Sequence, residues 1–247
     1  MNSLEILPVE GIPEVRPGDD LPDLIALAVG KNLRAGDILV VTHKIVSKAE
    51  GRLVDLRRVE PSALAKGFAA RYEKDPRQIE VVLRESRRIV RMDRGLIIAE
   101  TYHGFVCANA GVDASNVPGD DTVCLLPADP DASAARLRGA LADRTGSDLA
   151  VIVSDSFGRT WREGITNVAI GVSGMNPLAD YRGQTDPNGF PLAATVLAVA
   201  DEIAAAAELV MAKTAGIPVA IVRGYLYEPA AGTGRALVMD PERDLFR

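Results

Sequence analysis

Long apolar runs are missing from this chain. No stretch reaches about 18 consecutive apolar residues, so no helix of the sequence is expected to cross a membrane. The first fifteen residues, Met1–Val15, lack the basic start and apolar run of a secretory signal. Cysteine is scarce as well: Cys107 and Cys124 are the only two. They have no metal-ligand spacing and suggest no disulfide framework, so a cytoplasmic location is the simplest expectation. The two histidines, His43 and His103, stand too far apart for an H-E-x-x-H zinc site. Aromatics are only 4%, which leaves the core to Ala, Val, Leu and Ile. An excess of positive charge is also absent: 28 Lys and Arg against 34 Asp and Glu give a net charge of -6. Wholesale nucleic-acid binding is thereby disfavoured, though local lysines and arginines can still hold phosphate.

Familiar nucleotide and hydrolase signatures are missing too. Gly30-Lys31-Asn32 is not part of a P-loop, and Gly232-Thr233-Gly234 lacks the third glycine and the preceding strand of a dinucleotide fingerprint. No serine stands in a G-x-S-x-G elbow.

What is present is a chain of 247 residues, enough for one large domain or two small ones. Leu4–Val9 reads as a strand, Asp20 caps a helix with Pro22 in its first turn, and Ile38–Thr42 reads as a buried strand. Ser62 and Asp75-Pro76 open two helices ending near Tyr72 and Glu85, a charged helical hairpin. Ile89-Val90, Gly95–Ala99 and Phe105–Cys107 have a period near two and read as a meander. Thr122–Leu126 is a further strand, and Asp131 or Ser133 caps a helix through Ala142. Leu149–Val153 reads as a buried strand followed by a polar loop from Ser154. Pro191–Lys213 reads as a long alanine-rich helix, buried at an internal or subunit contact, with Asp201 and Glu202 as capping or pairing acids. Ile217–Val222 closes the set as a last strand. No linker or internal repeat interrupts it, and the mixture predicts an α+β fold.

Three polar clusters punctuate these elements. His43–Arg52 carries Lys44 and Lys48 just past a strand end. There they hold a phosphate or, at i,i+4 spacing, form a solvated helix face. Asn109–Asn116 sets Asp113 among turn-forming residues. Ser154–Arg162 sets Asp155 and Ser156 before Gly158, Arg159, Trp161 and Arg162. Two aspartates with hydroxyls and cations beside them suit magnesium or manganese with nucleotide phosphates, the inventory of phosphoryl transfer. Arg159 and Arg162 are read either as grips for phosphate or substrate carboxylate, or as partners of acids such as Glu163.

Five segments in this order resemble the coenzyme F420-0:L-glutamate ligase (F420 gamma-glutamyl ligase) family: Pro8–Pro13, Val46–Arg52, Asn109–Asn116, Ser154–Arg159 and Val199–Ala204. The resemblance covers nearly the whole chain in its free-standing form, without a C-terminal nitroreductase-like domain. It implies a GTP-dependent amide ligase that joins L-glutamate to the deazaflavin coenzyme F420-0 through an acyl phosphate, with further gamma-linked glutamates following. Manganese or magnesium and potassium are the implied cofactors. The implied fold is two intertwined α/β-type domains in a homodimer with nucleotide at the domain junction, the whole of residues 1–247 forming one ligase unit of two interleaved subdomains. Carried over by motif, Asp113 and Asp155 would bind the first metal and Ser156 the second; Arg159, read from its own chemistry and not from the family motif, joins Asp113 and Asp155 in the expected catalytic set. Nucleotide contacts would come from Ile12, Pro13, Glu14 and Val15, from His43, Lys44, Lys48 and Asn116, and from Met211, Ala212, Lys213, Thr214, Ala215, Gly216, Ile217 and Pro218. One departure stands out. By the resemblance, Lys213 falls where the archaeal pattern has a carboxylate for the second metal, and a charged lysine offers no lone pair to a hard cation. Either the second metal is held with fewer protein ligands, or Lys213 contacts phosphate directly, or the register of the resemblance shifts there. The metal and nucleotide motifs do not encode the acceptor. A related ligase with another acceptor or amino acid, or a non-catalytic nucleotide-binding protein, are the alternatives.

Overall fold

A computed structural model describes residues 3–117 and 119–244. In chain order the strands are β1 (Glu5–Pro8), β2 (Ile38–Thr42), β3 (Leu53–Asp55), β4 (Ser86–Asp93), β5 (Leu96–Thr101), β6 (Val106–Ala108), β7 (Thr122–Cys124), β8 (Ala150–Arg159), β9 (Arg162–Ser173), β10 (Ala179–Asp180), β11 (Val196–Leu197) and β12 (Val219–Arg223). The helices are α1 (Leu21–Val29), α2 (His43–Ala49), α3 (Ala63–Tyr72), α4 (Pro76–Arg84), α5 (Pro130–Thr145) and α6 (Val199–Met211). The fold is α+β, as the sequence predicts.

Five strands form the central sheet in the order β1-β12-β2-β8-β9, with only β2 and β8 parallel. β2 and β8 alternate between two cores, as a sheet covered on both faces must. Leu39, Val41, Val151 and Val153 pack with α1 and α5, while Ile38, Val40, Ala150 and Ile152 pack with α6. The alanines of α6 allow this close seat: Ala200, Ala204 and Ala207 are buried in the second core. On the other face, α5 presses its first turn against β9 at Gly171, where a Cβ would lie 2.3 Å from the Pro130 carbonyl oxygen.

Residues 53–125 leave this sheet and build a third core of their own. It gathers Phe68, Ala69, Ile79 and Val82 from the α3–α4 hairpin against Ile97 and Ala99 of the β4-β5-β6 meander. Ser62 and Asp75 cap α3 and α4 as expected, accepting from the backbone N–H of Ala65 and Arg77. Asp20 does the same for α1.

Three elements differ from expectation. The polar stretch after Val153 is not a loop: β8 continues to Arg159, turns at Thr160-Trp161 and returns as β9. Residues 191–198 are not helical, because Leu192 and Thr195 pair with Gln184 and Tyr181 in a side hairpin, so α6 begins only at Val199. The cap of α5 is Asp129, not Asp131 or Ser133. Asp131 instead accepts from the backbone N–H groups of Val172 and Gly234, tying α5 to β9 and the C-terminal tail.

Both cysteines are buried and free. Burial pushes the Cys107 thiol up to about 12 and raises that of Cys124 as well. A thiol whose pKa is raised stays protonated at pH 8, and protonated thiols are poor nucleophiles. Dithionitrobenzoate at pH 8 is therefore expected to label neither cysteine rapidly in the native protein and both after denaturation. Fast labelling of one thiol in the folded chain would contradict this packing.

Candidate active site

Four chain segments converge at one end of the central sheet because of its register. Thr42 at the end of β2 lies opposite Ser154 of parallel β8, so His43 and Asp155 emerge side by side. β12 enters antiparallel to β2, and the Thr42 N–H donates to the Pro218 carbonyl at 2.9 Å. This brings the segment before β12 to the same end. β1 leaves there too, with the Val9 N–H on the Val219 carbonyl, and carries Pro13, Glu14 and Val15 to the rim. The crevice outside the carboxyl ends of adjacent parallel strands is where α/β sheets bind ligands.

A cavity of about 510 Å³ fills this place. It is lined by Pro13, Glu14, Val15, His43, Lys44, Lys48, Asp113, Asn116, Asp155, Ser156, Met211, Ala212, Lys213, Thr214, Gly216, Ile217 and Pro218, all singled out by the sequence. Ile12, Ala215 and Arg159 are not in its wall. Ile12 packs on the first core, and Arg159 sits at the β8–β9 hairpin tip, donating to the carbonyls of Glu163 at 2.5 Å and Gly164 at 3.4 Å. The structure thus ties Arg159 to hairpin backbone.

Asp113 arrives from the separate lobe. Asn109 and Ala110 both adopt left-handed backbone (φ 51 and 52), which turns the chain so that Asp113 bridges Cys124 with mutual backbone hydrogen bonds. Left-handed non-glycine residues are costly and cluster at functional turns. The Asp113 carboxylate lies 2.7 Å from Lys44 Nζ and accepts from the Ser115 N–H at 2.7 Å. Partial burial raises its pKa, but the Lys44 ammonium and the Ser115 bonds outweigh that and hold it below the ordinary aspartate value. It is therefore an ionised oxygen donor at neutral pH.

Asp155 stands on the face of β8 that carries Val151 and Val153. Its Oδ1 is 3.2 Å from His43 Nε2 and accepts from the Ser156 N–H at 2.7 Å. His43 is buried, with Nδ1 3.5 Å from Ser47 Oγ. With Ser47 donating to Nδ1, the Nε2–H points at Asp155, which leaves the other carboxylate oxygen for a ligand. Lys44 and Lys48 lie on α2 but do not form a solvated face. Lys48 is 4% exposed and its Nζ is 2.5 Å from Glu14 Oε1.

Glu208 also lines the cavity, and the sequence reading passed over it. An acid in the last turn of a helix opposes the macrodipole, and that misplacement is a signal that something else holds it. Here Glu208 accepts from Asn167 Nδ2 at 2.8 Å and lies 3.4 Å from Lys213 Nζ.

Among the described residues, no group of three or more His, Cys, Asp and Glu converges as a metal cluster. The residues nevertheless fit a hard divalent cation of the magnesium kind. Such ions use one or two carboxylates and complete their shell with water and phosphate, and Asp113 and Asp155 share one cavity wall.

A second cavity, of about 360 Å³, opens along the outer edge of the sheet between Phe105, Val106, Phe157, Val168 and Val238, with Arg88 and Asp201 in its wall. Phe157 lies two residues along β8 from Asp155, on the same face.

The strand ends of the central sheet thus carry one cavity with three lysines and two aspartates in its wall. Residues 11–224 match the F420-0:Gamma-glutamyl ligase family, and the chain belongs to that family. It is 48% identical over 255 residues, spanning the whole of both chains, to the coenzyme F420:L-glutamate ligase of Methanopyrus kandleri. It is 45% identical over 250 residues, 99% of each chain, to that of Methanothermobacter thermautotrophicus. With the Methanocaldococcus jannaschii ligase it shares 40% over 245 residues, 99% of this chain and 97% of the relative.

Proposed function

We propose that this protein joins L-glutamate to coenzyme F420-0 at the expense of GTP, with manganese or magnesium at Asp113 and Asp155 and potassium as a further cofactor. The observation that carries this reading is the pairing of charges in one cavity. Its three lysines each face an acid: Lys44 faces Asp113, Lys48 faces Glu14 and Lys213 faces Glu208. A nucleoside triphosphate entering with a cation exchanges the partners of Lys44 and Lys48, while Lys213 stays against Ser156 and Glu208. Phosphate oxygens take the ammonium groups, and the acids they release face the metal or water. The site is then charge-matched before and after binding.

The chemistry follows from what a carboxylate needs. Its oxygen attacks the γ-phosphorus of GTP, the bond to the bridging oxygen breaks, and GDP leaves. The glutamate amine then attacks the acyl carbon and expels phosphate, losing a proton. The divalent ion supplies charge neutralisation on the transferring phosphoryl group. Lys44 and Lys48, fixed on α2, orient the phosphates. His43 holds Asp155 in one orientation. The flat ring of the acceptor is assigned to the second cavity, from which its acidic end reaches past Phe157 towards Asp155. The open edge of β9, with Ile165 60% exposed near the hairpin tip, supports a homodimer.

Incubation with GTP, manganese, L-glutamate and the deazaflavin precursor tests the reading by product mass. A gain of one glutamyl unit per GTP consumed is expected. No gain, with GTP binding intact, would sink it.

A further inference from the structure

We propose that the ammonium of Lys213 occupies the place beside Ser156 that a second divalent cation would take, so that this chain works with a single divalent metal. The inference rests on the GTP-and-metal reading above. Lys213 follows the C-terminal end of α6, and its Nζ donates to Ser156 Oγ. The other members of the cluster determine how that hydroxyl points. Glu208 Oε2 accepts from Asn167 Nδ2 at 2.8 Å, which turns Asn167 Oδ1 towards Ser156, and Ser156 Oγ donates to it at 2.7 Å. Asn167 is 4% exposed, so this orientation is enclosed. The Ser156 proton is therefore committed to Asn167, and its lone pairs face Lys213.

Lone pairs aimed at the cavity suit a cation, and the cation already there belongs to the chain. Lys213 Nζ is also 3.4 Å from Glu208 Oε1, so Ser156, Asn167, Glu208 and Lys213 close a ring of one negative and one positive charge. A divalent ion seated on Ser156 would meet the ammonium at contact distance and have only Glu208 as an anionic partner, already engaged by two donors. At Asp113 and Asp155 two carboxylates face the single ammonium of Lys44, 2.7 Å from Asp113, whereas beside Ser156 a neutral hydroxyl and one carboxylate already face Lys213. The first position keeps an excess of negative charge for a divalent ion, and the second is balanced by a side chain that can neutralise phosphate as a point charge.

Manganese binding separates the cases. Wild-type protein saturated with a non-hydrolysable GTP analogue is titrated with Mn²⁺, free ion being followed by electron paramagnetic resonance. One tight equivalent per protomer and an uncoupled spectrum are expected. Lys213→Glu, at a side chain 55% exposed and so tolerant of change, is expected to take two and give a spin-coupled pair. Two tight equivalents in the wild type would overturn the proposal. So would a single equivalent in the wild type, in Lys213→Glu and in Lys213→Gln alike, since the lysine would then not be what excludes the second ion. No tight manganese in the wild type with nucleotide bound would remove the metal reading itself, and the inference with it.

Discussion

Asp155→Asn is expected to lower turnover by at least about three orders of magnitude while leaving the fold unchanged. Asparagine keeps the shape of the side chain and an oxygen that can accept from the Ser156 N–H and from His43, the two contacts of this carboxylate. What it loses is the negative charge that, in the proposed function, would hold a hard cation against phosphate. Metal stabilisation of a transferring phosphoryl group is worth several kcal/mol, and each ~1.4 kcal/mol is tenfold in rate. The melting temperature should stay within a few degrees of wild type, since the residue lies at the rim of the sheet and not in either core. Wild-type turnover in this variant would place the metal elsewhere.

The second large effect is on stability, at the opposite end of the same sheet. Asp37, 1% exposed, accepts from the Arg34 N–H at 2.8 Å and from Arg223 Nε and Nη2 at 2.8 and 2.7 Å. This fork joins the turn before β2 to the end of β12, and Arg223 reaches on to the Asn32 carbonyl. Asp37→Ala leaves a largely buried guanidinium without its anion and a backbone N–H without its acceptor. Breaking one side of a buried pair costs roughly 3 kcal/mol or more, so the melting temperature should fall by about 6–12 °C for a domain of this size. Asp37→Asn keeps one acceptor and should fall less. Below its melting transition the Ala variant should keep its kinetic constants, because β2 separates Asp37 from the cavity. A melting temperature unchanged in Asp37→Ala would show that the fork contributes little.

How much was legible in the sequence follows from where the determining contacts lie. Strands β2 and β12 are continuous apolar runs, and the caps at Asp20, Ser62 and Asp75 act within three residues, so local chemistry exposes them. The extension of β8 was hidden because Ser154–Arg159 is polar and glycine-containing, with the look of a turn. Its strand geometry comes from pairing with residues 162–169, such as Ser156 opposite Asn167. Likewise residues 191–198 have helical composition, but pairing with 181–185 overrides it.

The site divides in the same way. The residue types that line the cavity stood out individually, and the resemblance carried by five motifs grouped them before any geometry was known. What spacing could not give is partnership. Lys44 and Ser115 are 71 residues apart and meet only because the inserted lobe folds back against α2. Glu208 was passed over because it reads as the solvated side of an alanine-rich helix. Arg159 looked close to Asp155 in sequence, yet an extended strand rises about 3.3 Å per residue, so four residues carry it out to the hairpin tip.

The most direct test of the central claim is the anomalous scattering of manganese in crystals soaked with GDP and Mn²⁺. The account predicts one strong peak in the cavity, contacting carboxylate oxygens of both Asp113 and Asp155, with the diphosphate alongside Lys44 and Lys48. Manganese bound away from that pair, or nucleotide seated outside this cavity, would contradict it.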